Sequence, residues 1–102
     1  MIHFKKSKEF QEWLVSLRRN PARARVMTRL DNATYGNFGD CVSVGNGVSE
    51  MRIHYGPGYR IYFTRKGDVV YLLLIGGDKS TQKRDIQHAK KIAEDFEKRS
   101  TP

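Results

Sequence analysis

Residues 49–65 read SEMRIHYGPGYRIYFTR. On both sides of Gly56-Pro57-Gly58 the side chains alternate with the period of two that sends neighbours to opposite faces of a strand. Met51, Ile53 and Tyr55 share one face, and Arg52 and His54 the other. Past the turn, Tyr59, Ile61 and Phe63 form an apolar set, and Arg60, Tyr62 and Thr64 a polar one. The Gly-Pro-Gly centre suits a tight turn, because proline presets φ and glycine tolerates φ > 0. If the polar faces coincide, two guanidiniums, an imidazole and a phenol gather on one side of a sheet. No acid lies between Glu50 and Asp68. Such a face either receives an anion such as phosphate or is an ordinary solvated surface, and the hairpin alone leaves both open.

Outward from this hairpin, residues 69–75 are apolar without alternation, the pattern of a strand buried on both faces and central in its sheet. Residues 65–68, Arg-Lys-Gly-Asp, form the turn before it. Upstream, Gly45-Asn46-Gly47 is a hairpin signal joining a short strand at 42–44 to the one that begins at Val48. Residues 2–4 predict an N-terminal strand, followed by lysines that would blunt an edge. Ser7 is placed to cap a helix running to about Arg19, whose stripe is Phe10, Trp13, Leu14 and Leu17, with Trp13 as a core anchor. Asn20-Pro21 restarts a second helix with Val26, Met27, Leu30 and Ala33 on its buried side. Arg18, Arg19, Arg23, Arg25 and Arg29 lie off that stripe, a basic helical hairpin suited to RNA backbone contact or to solvent. A last helix begins at Ser80 or Thr81 and presents Ile86, Ala89, Ala93 and Phe96. Gly76 and Gly77, just before it, could let a backbone approach a ligand at the helix N-terminus. The GxxxxGK[ST] spacing of a nucleotide-triphosphate loop is absent.

At 102 residues the chain suits one domain spanning 1–102, of class α+β, with a sheet of about four antiparallel strands. One cysteine, Cys41, excludes an internal disulfide and a cysteine-based zinc site, so a reducing cytoplasm is expected. No run is long enough to span a bilayer, and no membrane association is expected. Nineteen Lys and Arg against eleven Asp and Glu give a net charge of +8, which favours a polyanionic partner.

The order of strand, two helices, antiparallel meander and helix resembles the RelE/ParE toxin superfamily. The segment MRIHYGPGYRIYFTRKGDVVYLLLIGGDKSTQKRDIQHAKKIA, residues 51–93, is similar to the HigB-like addiction module killer branch. That branch carries an (L/M)R strand, a G-x-G-Y-R turn and a G-G-D-K-S-T-Q-x-x-D-I junction in this order. The resemblance implies a type II toxin that cleaves messenger RNA on the ribosome, by attack of a ribose 2′-OH on its own 3′-phosphate. It implies no metal and no cofactor. It also implies a cognate antitoxin, typically a helix-turn-helix repressor, with operator DNA bound only through the toxin–antitoxin complex.

Carried over position by position, Arg60 takes the place of the Arg in the G-Y-R turn, and a guanidinium can hold phosphate oxygens bidentately. Arg52 stands where relatives carry a basic strand residue, and His54 competes for that position because the register is open by one residue. Histidine changes charge near neutral pH, which makes His54 the candidate general base. Lys79 matches the junction lysine. Lys83 and Arg84, one turn on, would bind backbone, as would Arg65, Lys66 and Arg23. Many RelE-type toxins carry a C-terminal Tyr, but residues 81–99 contain none. Tyr62 is the candidate replacement. The alternatives are a ParE-like inhibitor of DNA gyrase on the same fold, and a non-enzymatic module whose basic groove receives an acidic antitoxin segment. A fold shared by nucleases and gyrase poisons does not separate them.

Overall fold

The computed structural model describes residues 1–100. Its elements run β1 (His3–Lys6), α1 (Lys8–Ser16), α2 (Ala22–Thr34), β2 (Cys41–Gly45), β3 (Val48–Ile53), β4 (Tyr59–Arg65), β5 (Val70–Asp78), a short 3₁₀ turn (Lys79–Thr81) and α3 (Gln82–Ser100). The sheet has five strands, in the order β1-β5-β4-β3-β2. The expected four-stranded meander is there, but β1 joins it as a fifth strand, parallel to β5. Its hydrogen-bonding groups are met by the far end of the chain, a pairing that local periodicity does not signal. Lys5 and Lys6 do lie on an edge strand, as expected.

The sheet is the middle of three layers. Met51, Ile53, Tyr59, Ile61, Phe63 and Leu73 face α1 and α2 and pack with Phe10, Leu14, Val26 and Leu30. On the other face Val48, Tyr62, Leu72 and Leu74 pack against Ala89 and Ile92 of α3. Residues 72–74 are thus buried on both sides, and β5 has a neighbour at each edge. Ser7 caps α1 by accepting the Phe10 N–H at 2.9 Å, and its hydroxyl donates to the Leu74 carbonyl at 2.5 Å, tying helix to sheet. Asn20 accepts the Ala22 N–H at the start of α2. Met27 departs from expectation: at 39% exposure it lies outside the buried stripe, and Ala22 fills the place inside it.

Gly76 and Gly77 also have a different role from the one expected. A Cβ at Gly76 would collide with the Trp13 indole, and one at Gly77 with the Asp85 carboxylate. Both glycines are therefore filled by neighbouring side chains, and neither leaves backbone open to a ligand. The 3₁₀ turn that leads into α3 is capped by Asp78, whose Oδ1 accepts the Ser80 N–H and hydroxyl at 2.8 and 2.5 Å. Ser80 donates there instead of capping.

Candidate active site

Alternation along β3 and β4 sends Glu50, Arg52, Arg60 and Tyr62 to the face that carries α3. The strand register sets Arg52 opposite Arg60, and Glu50 opposite Tyr62. β4 pairs Arg60 in turn with Gly77 of β5, so Lys79 emerges beside the start of β4. At Gly58, with φ +79°, a Cβ would lie 3.3 Å from Arg60 Nη1 and 3.5 Å from the Lys79 Cβ. Arg60 and Lys79 thus flank one left-handed glycine at the end of the sheet. Arg52 stands across the strand ladder from Arg60.

Beneath them lies Glu50, fully buried. Its Oε1 accepts from Arg52 Nε at 2.9 Å, and its Oε2 accepts from the Tyr62 hydroxyl at 2.8 Å and from Gln82 Nε2 at 2.9 Å. Arg60 Nε lies 3.9 Å from Oε2 and is a buried donor without a hydrogen bond. Arg60 Nη1 donates to the Gly58 carbonyl at 3.1 Å. Burial by itself would raise the Glu50 pKa, but hydrogen bonds from Arg52, Tyr62 and Gln82 outweigh it and hold the carboxyl below its ordinary value. The hydrogen bond to Glu50 in turn raises the Arg52 pKa. Two guanidiniums and one carboxylate leave the cluster a net cation before Lys79 is counted.

His54 lies just past the end of β3, with its side chain 71% exposed and its Nε2 2.6 Å from Asp40 Oδ2. The hydrogen bond to His54 lowers the Asp40 pKa, with Arg52 and Arg29 adding to the effect. The imidazole therefore stands at the β2 side of the cluster, paired with an acid. Arg29 reaches across from α2 and donates to the carbonyls of Arg52, Phe38 and Asp40, which pins this rim.

The other residues singled out in the sequence lie apart from this cluster, except Tyr62. Tyr62 corrects the expectation of an exposed phenol: it is fully buried, so its ring has no free face for a base. Burial, then the hydrogen bond to Glu50, raises its pKa well above the ordinary value. Lys83 and Arg84 lie on the first turn of α3, with Arg84 Nε 3.9 Å from Asp85 Oδ1. Arg65 ends β4 at the opposite end of the sheet, donating to the Gly67 carbonyl and to Asp68. Lys66 follows it. Arg23 is exposed on α2, in the layer across the sheet from α3.

The model of the family described as "Phage derived protein Gp49-like (DUF891)" matches residues 12–97. The chain belongs to the Gp49-like family. That family is associated with toxin–antitoxin pairs and related to RelE- and HigB-type toxins. An uncharacterized protein of Haemophilus influenzae is similar to this Gp49-like chain, 43% identical over 95 residues that cover 93% of the chain and 96% of the relative. No helix among the described residues is long and apolar enough to cross a membrane.

Three residues of the Gp49-like site escape a search for cations. Glu50 shares its strand face with Arg52 by simple alternation, so its parity was the available signal. Asp40 sits beside Cys41, which pairs with Met51, and only that register brings it to His54. Gln82 lies 32 residues from Glu50 and carries no local signal.

Proposed function

We propose that this protein is the toxin of a type II toxin–antitoxin pair and acts in the cytoplasm as a ribosome-dependent endoribonuclease on messenger RNA. The observation that carries the reading is the placement of Arg52 opposite Arg60 on the strand ladder, with Arg60 and Lys79 beside the Gly58 backbone at one end of the sheet. In the proposed reaction a ribose 2′-oxygen attacks the adjacent phosphorus. The bond from phosphorus to the 5′-oxygen of the next nucleotide breaks, that oxygen takes a proton from solvent to become a 5′-hydroxyl, and a 2′,3′-cyclic phosphate remains. The phosphorane-like transition state carries more negative charge than the diester, and fixed cations around it stabilise that increment. Arg60 is held rigid by burial and by its bond to the Gly58 carbonyl, so it is oriented before RNA arrives. His54, exposed and hydrogen-bonded to Asp40, is the candidate to accept the 2′ proton. Its cognate partner is an antitoxin that covers this cationic end with acidic or occluding surface.

Primer extension on messages translated in vitro tests the reading. Wild-type protein is expected to produce cuts that require the ribosome. Arg60→Ala and Arg52→Ala are each expected to slow them by about 10²–10³-fold, the cost of losing one transition-state charge contact. Growth arrest by wild-type protein with intact messages and impaired supercoiling would replace the nuclease with a gyrase inhibitor.

A further inference from the structure

A carboxylate with 0% exposure lies under the two arginines of the site. Burying an anion is costly unless it is paired and hydrogen-bonded. In Glu50 both oxygens are engaged, one by Arg52 and the other by Tyr62 and Gln82. With no exposed surface, the carboxylate turns no lone pair to solvent from which a ribose hydroxyl could be deprotonated. Glu50 is therefore no general base.

Its contact with Arg52 has a directional consequence. Arg52 donates to Glu50 through Nε at 2.9 Å, while its side chain remains 36% exposed. A guanidinium is planar, so engaging Nε restrains that plane and leaves the edge formed by the two terminal nitrogens to another partner. That edge is the one that grips two phosphate oxygens in parallel. We propose that Glu50 is a positioning residue that holds Arg52 by Nε and presents its terminal edge to a phosphodiester at the open end of the sheet. This rests on the reading of that end as a nuclease site.

Glu50→Gln isolates the effect. The amide oxygen can still accept from Tyr62 and Gln82, but the amide nitrogen then meets Arg52 Nε, donor against donor. Arg52 loses its anchor while the α3 contact persists. Displacing a reacting-site group by about 1 Å costs on the order of 10²-fold. Cleavage of ribosome-bound message and affinity for a short non-cleavable 2′-O-methyl RNA are measured for wild type, Glu50→Gln, Arg52→Ala and the double variant. Circular dichroism and melting confirm that each is folded. The expected result is a loss of about 10–10²-fold for Glu50→Gln that shrinks to less than about twofold in the Arg52→Ala background, because the residue acts through Arg52. An equal loss in both backgrounds overturns the proposal, since it would act through Arg60 or through the fold. No loss in either background overturns it too. Wild-type protein that binds the 2′-O-methyl RNA but cuts nothing removes the nuclease, and the same cycle read in affinity still supports or refutes positioning. Wild-type protein that neither binds nor cuts overturns both. If Glu50→Gln does not fold, Glu50→Asp, which withdraws the charge by one methylene, enters the same cycle and is judged by the same two outcomes.

Discussion

Burial alone would drive the Glu50 carboxyl toward its neutral form, yet its hydrogen-bond donors reverse the sign and its pKa falls below the ordinary 4.5. The folded protein then binds a proton at Glu50 less readily than the unfolded chain. Its stabilising contribution is complete above pH 4.5 and disappears as pH falls from there through the folded value. Urea midpoints taken from about pH 7 down to about pH 3 should therefore decline on the acid side, and Glu50→Gln should flatten that decline. Asp40 and Glu94, lowered by hydrogen bonds from His54 and Lys98, keep part of the slope. Identical slopes in both proteins would mean that Glu50 titrates alike in the folded and unfolded chain. Gly76 supplies a second test at this scale. Gly76→Ala drives a methyl group into Trp13, the chain's one tryptophan, and overpacking of this kind costs about 1–3 kcal/mol. A lower urea midpoint and a shift in indole emission should appear together. A change in midpoint without a change in emission would place the strain elsewhere.

At the scale of elements, the places where pattern and structure agree are those where one local rule governs. Residues 51–63 alternate as a strand pair should, and β3 and β4 follow. Ser7 precedes an apolar stripe, and α1 begins at Lys8. Its hydroxyl does more than cap, since it also donates to the Leu74 carbonyl inside the protein. Ser7→Ala should cost about 1–2 kcal/mol, through the lost cap and an unsatisfied buried carbonyl. Thermal unfolding measures it, and a loss of a few tenths would show that water replaces the hydroxyl. What local rules could not supply was pairing between distant segments. The β1–β5 ladder joins residues 67 apart, as in His3 with Val70, and nothing in a four-residue strand names its partner. The candidate site divides in the same way. Parity alone puts Arg52 and Arg60 on the polar sides of their strands, whereas Lys79 stands out only through the resemblance of the junction that follows β5. Tyr62 was assigned to the correct face but to the wrong environment, because alternation says which side a residue takes and not whether a helix covers it. α3 covers that face with Ala89 and Ile92, and Tyr62 lies beneath it. The junction glycines were noticed for their backbone freedom, whereas their neighbours, Trp13 and Asp85, are 63 and 8 residues away in sequence.

At the scale of the whole molecule, the surplus of +8 is spread unevenly relative to the chemistry proposed for it. Arg52, Arg60 and Lys79 lie at the end of the sheet where β4 begins, while Arg65 and Lys66 lie where it stops. Five steps of β4 separate Arg60 from Arg65, and a strand rises about 3.4 Å per residue, so the two groups lie about 17 Å apart. A trinucleotide centred on Arg60 cannot reach both. Binding that neutralises Z phosphates of a single strand falls with log salt at a slope of about −0.7Z. A 2′-O-methyl trinucleotide should accordingly bind with a shallow slope that Arg52→Ala or Lys79→Ala reduces and that Arg65→Ala and Lys66→Ala leave unchanged. A longer strand, of about ten nucleotides or more, spans the distance and should bind with a steeper slope that all four substitutions reduce. Fluorescence anisotropy across a salt series measures both slopes. Sensitivity of the trinucleotide to Arg65→Ala would move the phosphate site toward the far end of β4. Insensitivity of the longer strand would assign Arg65 to its ion pair with Asp68, holding the turn at Gly67, and leave polyanion binding to the Arg60 end alone.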